Sequence, residues 1–128
     1  MMVAQYTACA LVVETRILSH PAANQSIPAA ADQEDFVSMG MTTTQKTAKI
    51  MENCYSVLAI EFVAAAQALD IRGMKPGTGV AAAHSLIREK IAHLDEDRPL
   101  FPDNDAMLEL LKSGELLAAV EAAIGELD

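Results

Sequence analysis

Aromatic side chains are scarce in this chain. Trp is absent and the aromatic fraction is 4% of 128 residues, although 52% of the residues are hydrophobic. Much of that hydrophobic fraction is alanine, which favours helix but buries little area per residue. The composition therefore excludes a core of large side chains and indicates one small domain held by close helix contacts. We expect part of its apolar surface to lie in a homo-oligomer interface.

Basic residues are also few: 9 Lys and Arg stand against 18 Asp and Glu, a formal net charge of -9. No cluster of Lys and Arg is available to neutralise a phosphate backbone, so nucleic-acid binding is not expected. The two cysteines, Cys9 and Cys54, form no CxxC pair. This spacing argues against a disulfide framework or a zinc site and fits a reducing, cytoplasmic compartment.

Signals for export, membrane insertion and metal binding are missing as well. The first apolar run lacks a basic segment ahead of it, is too short to span a membrane and continues into Glu14 and Arg16. The chain also has no metal-binding motif, because His20, His84 and His93 are widely scattered. We therefore expect neither a membrane anchor nor a bound metal.

Helical periodicity dominates what the sequence does contain, and no segment alternates with the period of two that is typical of strands. We predict an all-α fold in one helical region, 1–128. Residues 1–72 would form long bundle helices and one long loop, and residues 73–128 a smaller C-terminal helical region. The predicted helices run from Val3 to Leu18, Thr42 to Leu69, Ala81 to Ile91 and Leu108 to Leu111, and a last one is capped by Ser113.

The first two helices raise separate expectations. The first is apolar on nearly every side, which is typical of the middle of a bundle. It has no capping residue before Val3, so we expect a missing upstream segment. The second carries an apolar stripe at helical spacing that includes Glu61, so either the stripe meets a partner that satisfies this carboxylate or Glu61 lies at its edge. The stripe consists of Ile50, Cys54, Val57, Leu58, Ala65, Ala68 and Leu69.

The loop between these helices, Ser19 to Val37, contains Gln33, Glu34 and Asp35 in succession. A loop of this length without secondary structure is uncommon in a compact domain and is often functional. Adjacent acids just before a helix suit its positive N-terminal end, so the pattern alone favours a capping role. A functional role would require one of the carboxylates to point into a pocket.

Three segments resemble the C-terminal part of histidine ammonia-lyase and related aromatic amino acid lyases: AQYTACALVVETRILSHPA, SIPAAADQEDFVSMG and ENCYSVLAIEFVAAAQALDIR. A fourth, IREKIAHLDEDRPLFPD, is similar to the tail of the same family. The resemblance implies a helical homotetramer whose shared active sites use 4-methylideneimidazol-5-one, made from an Ala-Ser-Gly tripeptide. No Ala-Ser-Gly occurs here. The electrophile is therefore expected from the missing upstream part, and the isolated chain is expected to be inactive.

The resemblance also implies roles for individual loop residues. Glu34 matches the family glutamate that lines the substrate pocket, near the imidazole or amino group in histidine-type members. This implies elimination of ammonia from L-histidine to give urocanate, with Glu34 as the catalytic residue. Gln33 and Phe36 would bind substrate beside it, and Ser26 would shape the loop.

The chain departs from the histidine-type pattern close to Glu34. Phe36 stands where histidine lyases commonly have His, and Ala29, Ala30 and Asp32 stand where they tend to have Thr-Ser and Asn. These changes remove polar groups, so a segment of a tyrosine or phenylalanine lyase or of an aminomutase stays open. A non-catalytic helical oligomerisation module is the other alternative.

Overall fold

The computed structural model describes residues 1–127, which form five helices. Between residues 1 and 127 there is no strand, and one isolated antiparallel bridge pairs Ala29 with Glu34. The all-α prediction is confirmed. The helices are α1 (Met2–Leu18), α2 (Gly40–Arg72), α3 (Thr78–Lys90), α4 (Phe101–Ser113) and α5 (Glu115–Ile124).

The predicted boundaries agree best for α1 and least for α4. The sequence predicted four helical residues in α4, whereas the helix has 13 and begins at Phe101. Pro102 lies in the first turn of this helix, where proline costs no intrahelical N–H bond. The last helix is not capped by Ser113, because Gly114 is the N-cap of α5; the Ser113 Oγ accepts the Glu115 N–H at 3.3 Å from the end of α4.

Helices α1 and α2 run in opposite directions along each other. Leu18, at the end of α1, lines a cleft with Ile50. Further along, the side-chain amide of Asn53 donates to Glu14 Oε2 at 2.7 Å. Ala64 of α2 lies opposite the first turn of α1. The long loop therefore joins the C-terminal end of α1 to the adjacent N-terminal end of α2.

The apolar core lies among α2, α3, α4 and α5 rather than along α1. Small residues of α2 let the shorter helices approach it closely, and Met107 of α4 is completely buried among them. The core residues are Ala59, Val63, Ala66, Ile87, Ile91, Met107, Leu110 and Leu116.

Residues 1–127 leave the apolar stripe of α2 uncovered over most of its length. Cys54, Leu58, Ala65 and Ala68 are exposed. Because α2 is apolar on more than one side, periodicity alone did not identify the side that this chain itself covers. The residues of α2 that are buried are Asn53, Ala59, Ile60, Val63, Ala66 and Gln67.

Helix α1 is covered on one side only. Ala4 is its buried residue, and much of its apolar surface faces solvent. The expectation that α1 belongs in the middle of a bundle is therefore not met within this chain alone. The exposed large apolar residues of α1 are Met2, Val3, Tyr6, Val12, Val13 and Ile17.

Polar side chains connect the C-terminal end of α2 to the segments that follow. Asp70 lies 2.7 Å from His84 Nε2 and accepts from Arg88 Nε at 2.8 Å. The amide of the buried Gln67 accepts the Leu94 N–H at 3.0 Å and donates to His93 Nε2 at 2.8 Å. These bonds fix α3 and the segment after it against α2.

Helix α2 is long and apolar enough to cross a membrane by length and composition. Core helices of water-soluble helical bundles reach the same length and apolar content, so a single such helix is weak support for a membrane span. In this chain α2 supplies Ala59, Val63 and Ala66 to the core. The structure gives no support to a membrane role.

Candidate active-site loop

The loop between α1 and α2 is attached to the helices at its first residues. Lys46 Nζ of α2 donates to the carbonyl of His20. Ala22 is buried, and the Ala22 carbonyl accepts the Gln25 N–H at 3.0 Å. These contacts anchor the start of the loop on α2, and the rest of the loop extends from there.

A tight hairpin forms the middle of the loop. Ala29 and Glu34 exchange both backbone hydrogen bonds, at 3.0 and 3.2 Å. The turn between them passes through Ala30, Ala31 and Asp32, with φ of 52°, 54° and 63°. Left-handed backbone costs an L-residue roughly 1–2 kcal/mol, and Asp tolerates it better than Ala. Three successive residues of this kind make the turn a strained one.

A side chain closes the base of the hairpin. The Ser26 hydroxyl oxygen accepts the backbone N–H of Val37, with an N–Oγ distance of 2.7 Å. Both residues are half-buried. Two residues later, Met39 adopts a left-handed φ of 52°, and α2 begins at Gly40. The loop thus enters α2 through a fourth left-handed residue.

The three predicted site residues lie on or beside this hairpin. Gln33 is in the turn, Glu34 pairs with Ala29 and Phe36 follows with 68% of its surface exposed. All three are exposed, so the chain does not itself enclose a pocket around them. The hairpin brings them to one place in the loop, and their predicted roles at a substrate stay predictions.

The acids of the loop do not cap α2. Within the described part of the chain, α2 has no side-chain capping bond and no acid in its first turn. Neither Glu34 nor Asp35 takes part in a side-chain hydrogen bond or ion pair among residues 1–127. The capping interpretation, which the sequence pattern favoured, is therefore wrong. The Glu34 carboxylate is available to a partner from outside the chain.

A small cleft lies at the start of the loop, between Leu18 and Ile50, and larger grooves lie away from the loop. Grooves of about 470 and 710 Å³ open at the N-terminal end of α1, whereas the loop leaves from its other end. The first groove is lined by apolar side chains and by Gln5 and Glu61. Among residues 1–127, no group of three His, Cys, Asp or Glu side chains is placed to hold a metal ion.

Sequence reasoning missed the two features that give the loop its shape. The left-handed turn falls on Ala30 and Ala31, and alanine carries no signal for that conformation. The bond from Val37 to Ser26 leaves a fainter signal. Ser26 lies as many residues before Ala29 as Val37 lies after Glu34, which is the spacing of a hairpin.

Comparison with known proteins gives a consistent result. A sequence model described as aromatic amino acid lyase matches residues 1–89. The histidine ammonia-lyase of Myxococcus xanthus is 53% identical over 95% of this chain and 24% of its own length. The enzyme of that name from Gloeobacter violaceus is 50% identical over 99% of this chain and 25% of its own length.

Solved structures agree with the sequence matches. Histidine ammonia-lyase from Trypanosoma cruzi has a TM-score of 0.91 at 36% identity, over 98% of this chain and 25% of that one. Tyrosine aminomutase from Streptomyces globisporus has a TM-score of 0.93 at 34% identity, over 98% of this chain and 24% of that one. The chain spans about a quarter of the length of the curated relatives it matches, 24% and 25% for the two above.

Proposed function

Because this chain belongs to the aromatic amino acid lyase family, we propose that it is the C-terminal segment of an ammonia-lyase acting on L-histidine to give urocanate. In this proposal the chain contributes the hairpin loop with Glu34, and other protein segments complete the site. The isolated chain is inactive. Identities of 53% and 50% to proteins named histidine ammonia-lyase support histidine as the substrate.

The observation that carries the proposal is the free carboxylate of Glu34. The hairpin presents it on an exposed turn, and it neither caps α2 nor pairs with a cation of residues 1–127. An ionised carboxylate accepts hydrogen bonds from an imidazole N–H or from an ammonium group, and such charge-assisted bonds are strong. Glu34 would hold one of these groups of histidine. Gln33 and Phe36 would contact the substrate beside it.

The prosthetic group implied by the family cannot arise from this chain. The sequence contains no Ala-Ser-Gly from which 4-methylideneimidazol-5-one could form. When present, that group supplies the electrophile that assists loss of ammonia. It would come from the remaining part of the enzyme. The role left to this chain is to orient the substrate through Glu34 and to cover one side of the site.

The surface of the chain supports a homo-oligomer and a cytoplasmic location. The exposed apolar side chains of α1 and α2, including Tyr6, Val13 and Leu58, would be covered in a homo-oligomer. Cys9 and Cys54 are both exposed and unpaired. Exposed free thiols persist in a reducing compartment, which supports a cytoplasmic location.

Two other functions have support of their own. The fit to tyrosine aminomutase, with a TM-score of 0.93, together with Phe36, favours a larger aromatic substrate. The exposed apolar surface of α1 favours a helical module that only oligomerises. A single experiment separates these possibilities from the histidine lyase.

The test combines this chain with the remaining segment of a related histidine ammonia-lyase, which contains Ala-Ser-Gly, and measures ammonia release from histidine, tyrosine and phenylalanine. We expect turnover of histidine by the mixture and none by the chain alone. Glu34→Ala should lower kcat/KM at least a hundredfold, because an ionic contact to the substrate is lost. The matched control, Asp35→Ala, should stay within about threefold of the parent mixture.

Each other outcome selects an alternative. Turnover of tyrosine or phenylalanine in place of histidine would favour the larger substrate. Stable assembly of the two segments without turnover of any of the three amino acids would favour the oligomerisation module. Equal losses of kcat/KM in the Glu34 and Asp35 variants would contradict a specific role of Glu34 in the site.

A further inference from the structure

The hairpin that presents Glu34 has very few bonds of its own. Within residues 1–127, its backbone bonds are the Ala29–Glu34 pair, which joins the two arms, and one bond inside the turn, from the Gln33 N–H to the Ala30 carbonyl at 3.3 Å. An ordinary antiparallel ladder would continue with a second pair two residues further out, Ile27 with Phe36. No backbone hydrogen bond joins those two residues.

Pro28 lies between the bonded pair and the missing one. It stands opposite Asp35, where an antiparallel ladder has no hydrogen bond, so its lack of an N–H removes no bond between the arms. One position beyond the missing pair, the Ser26 hydroxyl accepts the Val37 N–H at 2.7 Å. The serine side chain thus provides the second connection between the arms, in register with the first.

The strained turn makes this second connection important. Left-handed backbone at Ala30, Ala31 and Asp32 favours opening of the turn. Four hydrogen bonds act against this opening: the two Ala29–Glu34 bonds, the Gln33 N–H to the Ala30 carbonyl at 3.3 Å, and the Ser26–Val37 bond. Loss of one of these bonds therefore shifts the hairpin noticeably towards open forms.

We propose that Ser26 is a positioning residue for Glu34: its hydroxyl fixes the base of the hairpin and thereby the place of the carboxylate. This inference rests on the proposed function, because it assigns Ser26 to the site that Glu34 serves. Ser26 does not contact substrate in this proposal. It acts on catalysis only through the geometry of the turn.

The first test needs no catalysis. Amide hydrogen exchange of the 128-residue chain, followed residue by residue by NMR, reports opening of the hairpin. In Ser26→Ala, exchange at Ala29, Glu34 and Val37 should accelerate about tenfold, as expected from one lost hydrogen bond. Ser26→Thr keeps a hydroxyl and should retain the parent rates. The control Ser38→Ala removes an exposed serine whose hydroxyl bonds to none of residues 1–127.

Two results of this test would overturn the proposal. One is acceleration at Val37 alone, with Ala29 and Glu34 unchanged, since the base would then not hold the turn. The other is a Glu34 amide that already exchanges in the parent as fast as in an unfolded peptide. Far-UV circular dichroism of each variant checks that the helices are intact.

The second test uses the mixture with the segment that contains Ala-Ser-Gly. Ser26→Ala should lower kcat/KM about tenfold, Ser26→Thr should restore it, and in a Glu34→Ala background the serine change should have little further effect. Additive losses in the double variant would contradict action through Glu34. If the parent mixture turns over none of the amino acids, the proposed function fails, and hydrogen exchange alone then decides whether Ser26 holds the hairpin.

Discussion

The loop and the C-terminal half of the chain are stabilised in opposite ways. From α3 to α5 the chain closes on α2 through a buried apolar core and several side-chain hydrogen bonds. Beyond Gln25 the loop has one backbone pair, one further backbone bond inside a strained turn and one serine bond, with most of its residues exposed. A region with its own core keeps its shape alone. A region held by a few local bonds opens more easily, and this is where Glu34 lies.

The largest expected effect tests the core side of this comparison. Met107 is completely buried among the four C-terminal helices. Met107→Ala removes these contacts and leaves a cavity, so we expect a loss of about 2–5 kcal/mol in the free energy of unfolding. Met41→Ala, at a methionine that is 72% exposed, is the matched control and should change it by less than about 0.5 kcal/mol. Urea unfolding followed by circular dichroism measures both.

The core prediction has a second part that concerns the loop. If the two regions are independent, amide exchange at Ala29 and at Glu34 should be the same in Met107→Ala as in the parent, under conditions in which the variant remains folded. Faster exchange at the hairpin would show that the loop depends on the C-terminal core, and the contrast between the regions would then fail.

A smaller effect is expected at the polar connection between α2 and α3. Partial burial works against ionisation of Asp70, but hydrogen bonds from Arg88 and His84 and their charges outweigh it and hold the pKa of Asp70 below its ordinary value. A carboxyl with a lowered pKa in the folded state stabilises the fold above its unfolded pKa of about 3.9. That contribution is lost as the pH falls through the folded value.

Asp70→Asn should therefore lower the free energy of unfolding by about 1–2 kcal/mol at pH 7 and by less in acid, because the ion pair with Arg88 is gone. The variant should show a weaker decrease of stability between pH 5 and pH 3 than the parent. Asp97→Asn, at an exposed acid, is the control. Parallel pH profiles for parent and Asp70→Asn would contradict this role of Asp70.

The two regions also differ in how far sequence predicted them. The all-α fold, the extent of α1 and the position of the loop follow from periodicity and from prolines, which are local signals. The buried side of α2 did not follow, because several of its sides are apolar and burial depends on which helices return to it. Leu58, in the apolar stripe, is 43% exposed. The polar Asn53 is buried instead, and its side-chain amide donates to Glu14.

The candidate site shows a similar division. The resemblance drew attention to Glu34, and the structure places it in a hairpin rather than at the start of α2. The shape of that hairpin could not be predicted, because the left-handed residues Ala30 and Ala31 carry no residue-type signal. A backbone conformation that most residues avoid is fixed by its surroundings and not by the residue itself.

The smallest expected effect tests the strain in the loop. Ala31→Gly removes the steric penalty of a φ of 54°, which outweighs the greater freedom of glycine in the open form by about 0.5–1 kcal/mol. Exchange at the Glu34 amide should therefore slow about threefold. Ala48→Gly, at an exposed position inside α2, has no such penalty to relieve and should destabilise the fold by about 1 kcal/mol. If Ala31→Gly instead accelerates exchange at Glu34, the turn is not strained, and the hairpin would need no second connection at Ser26 to stay closed.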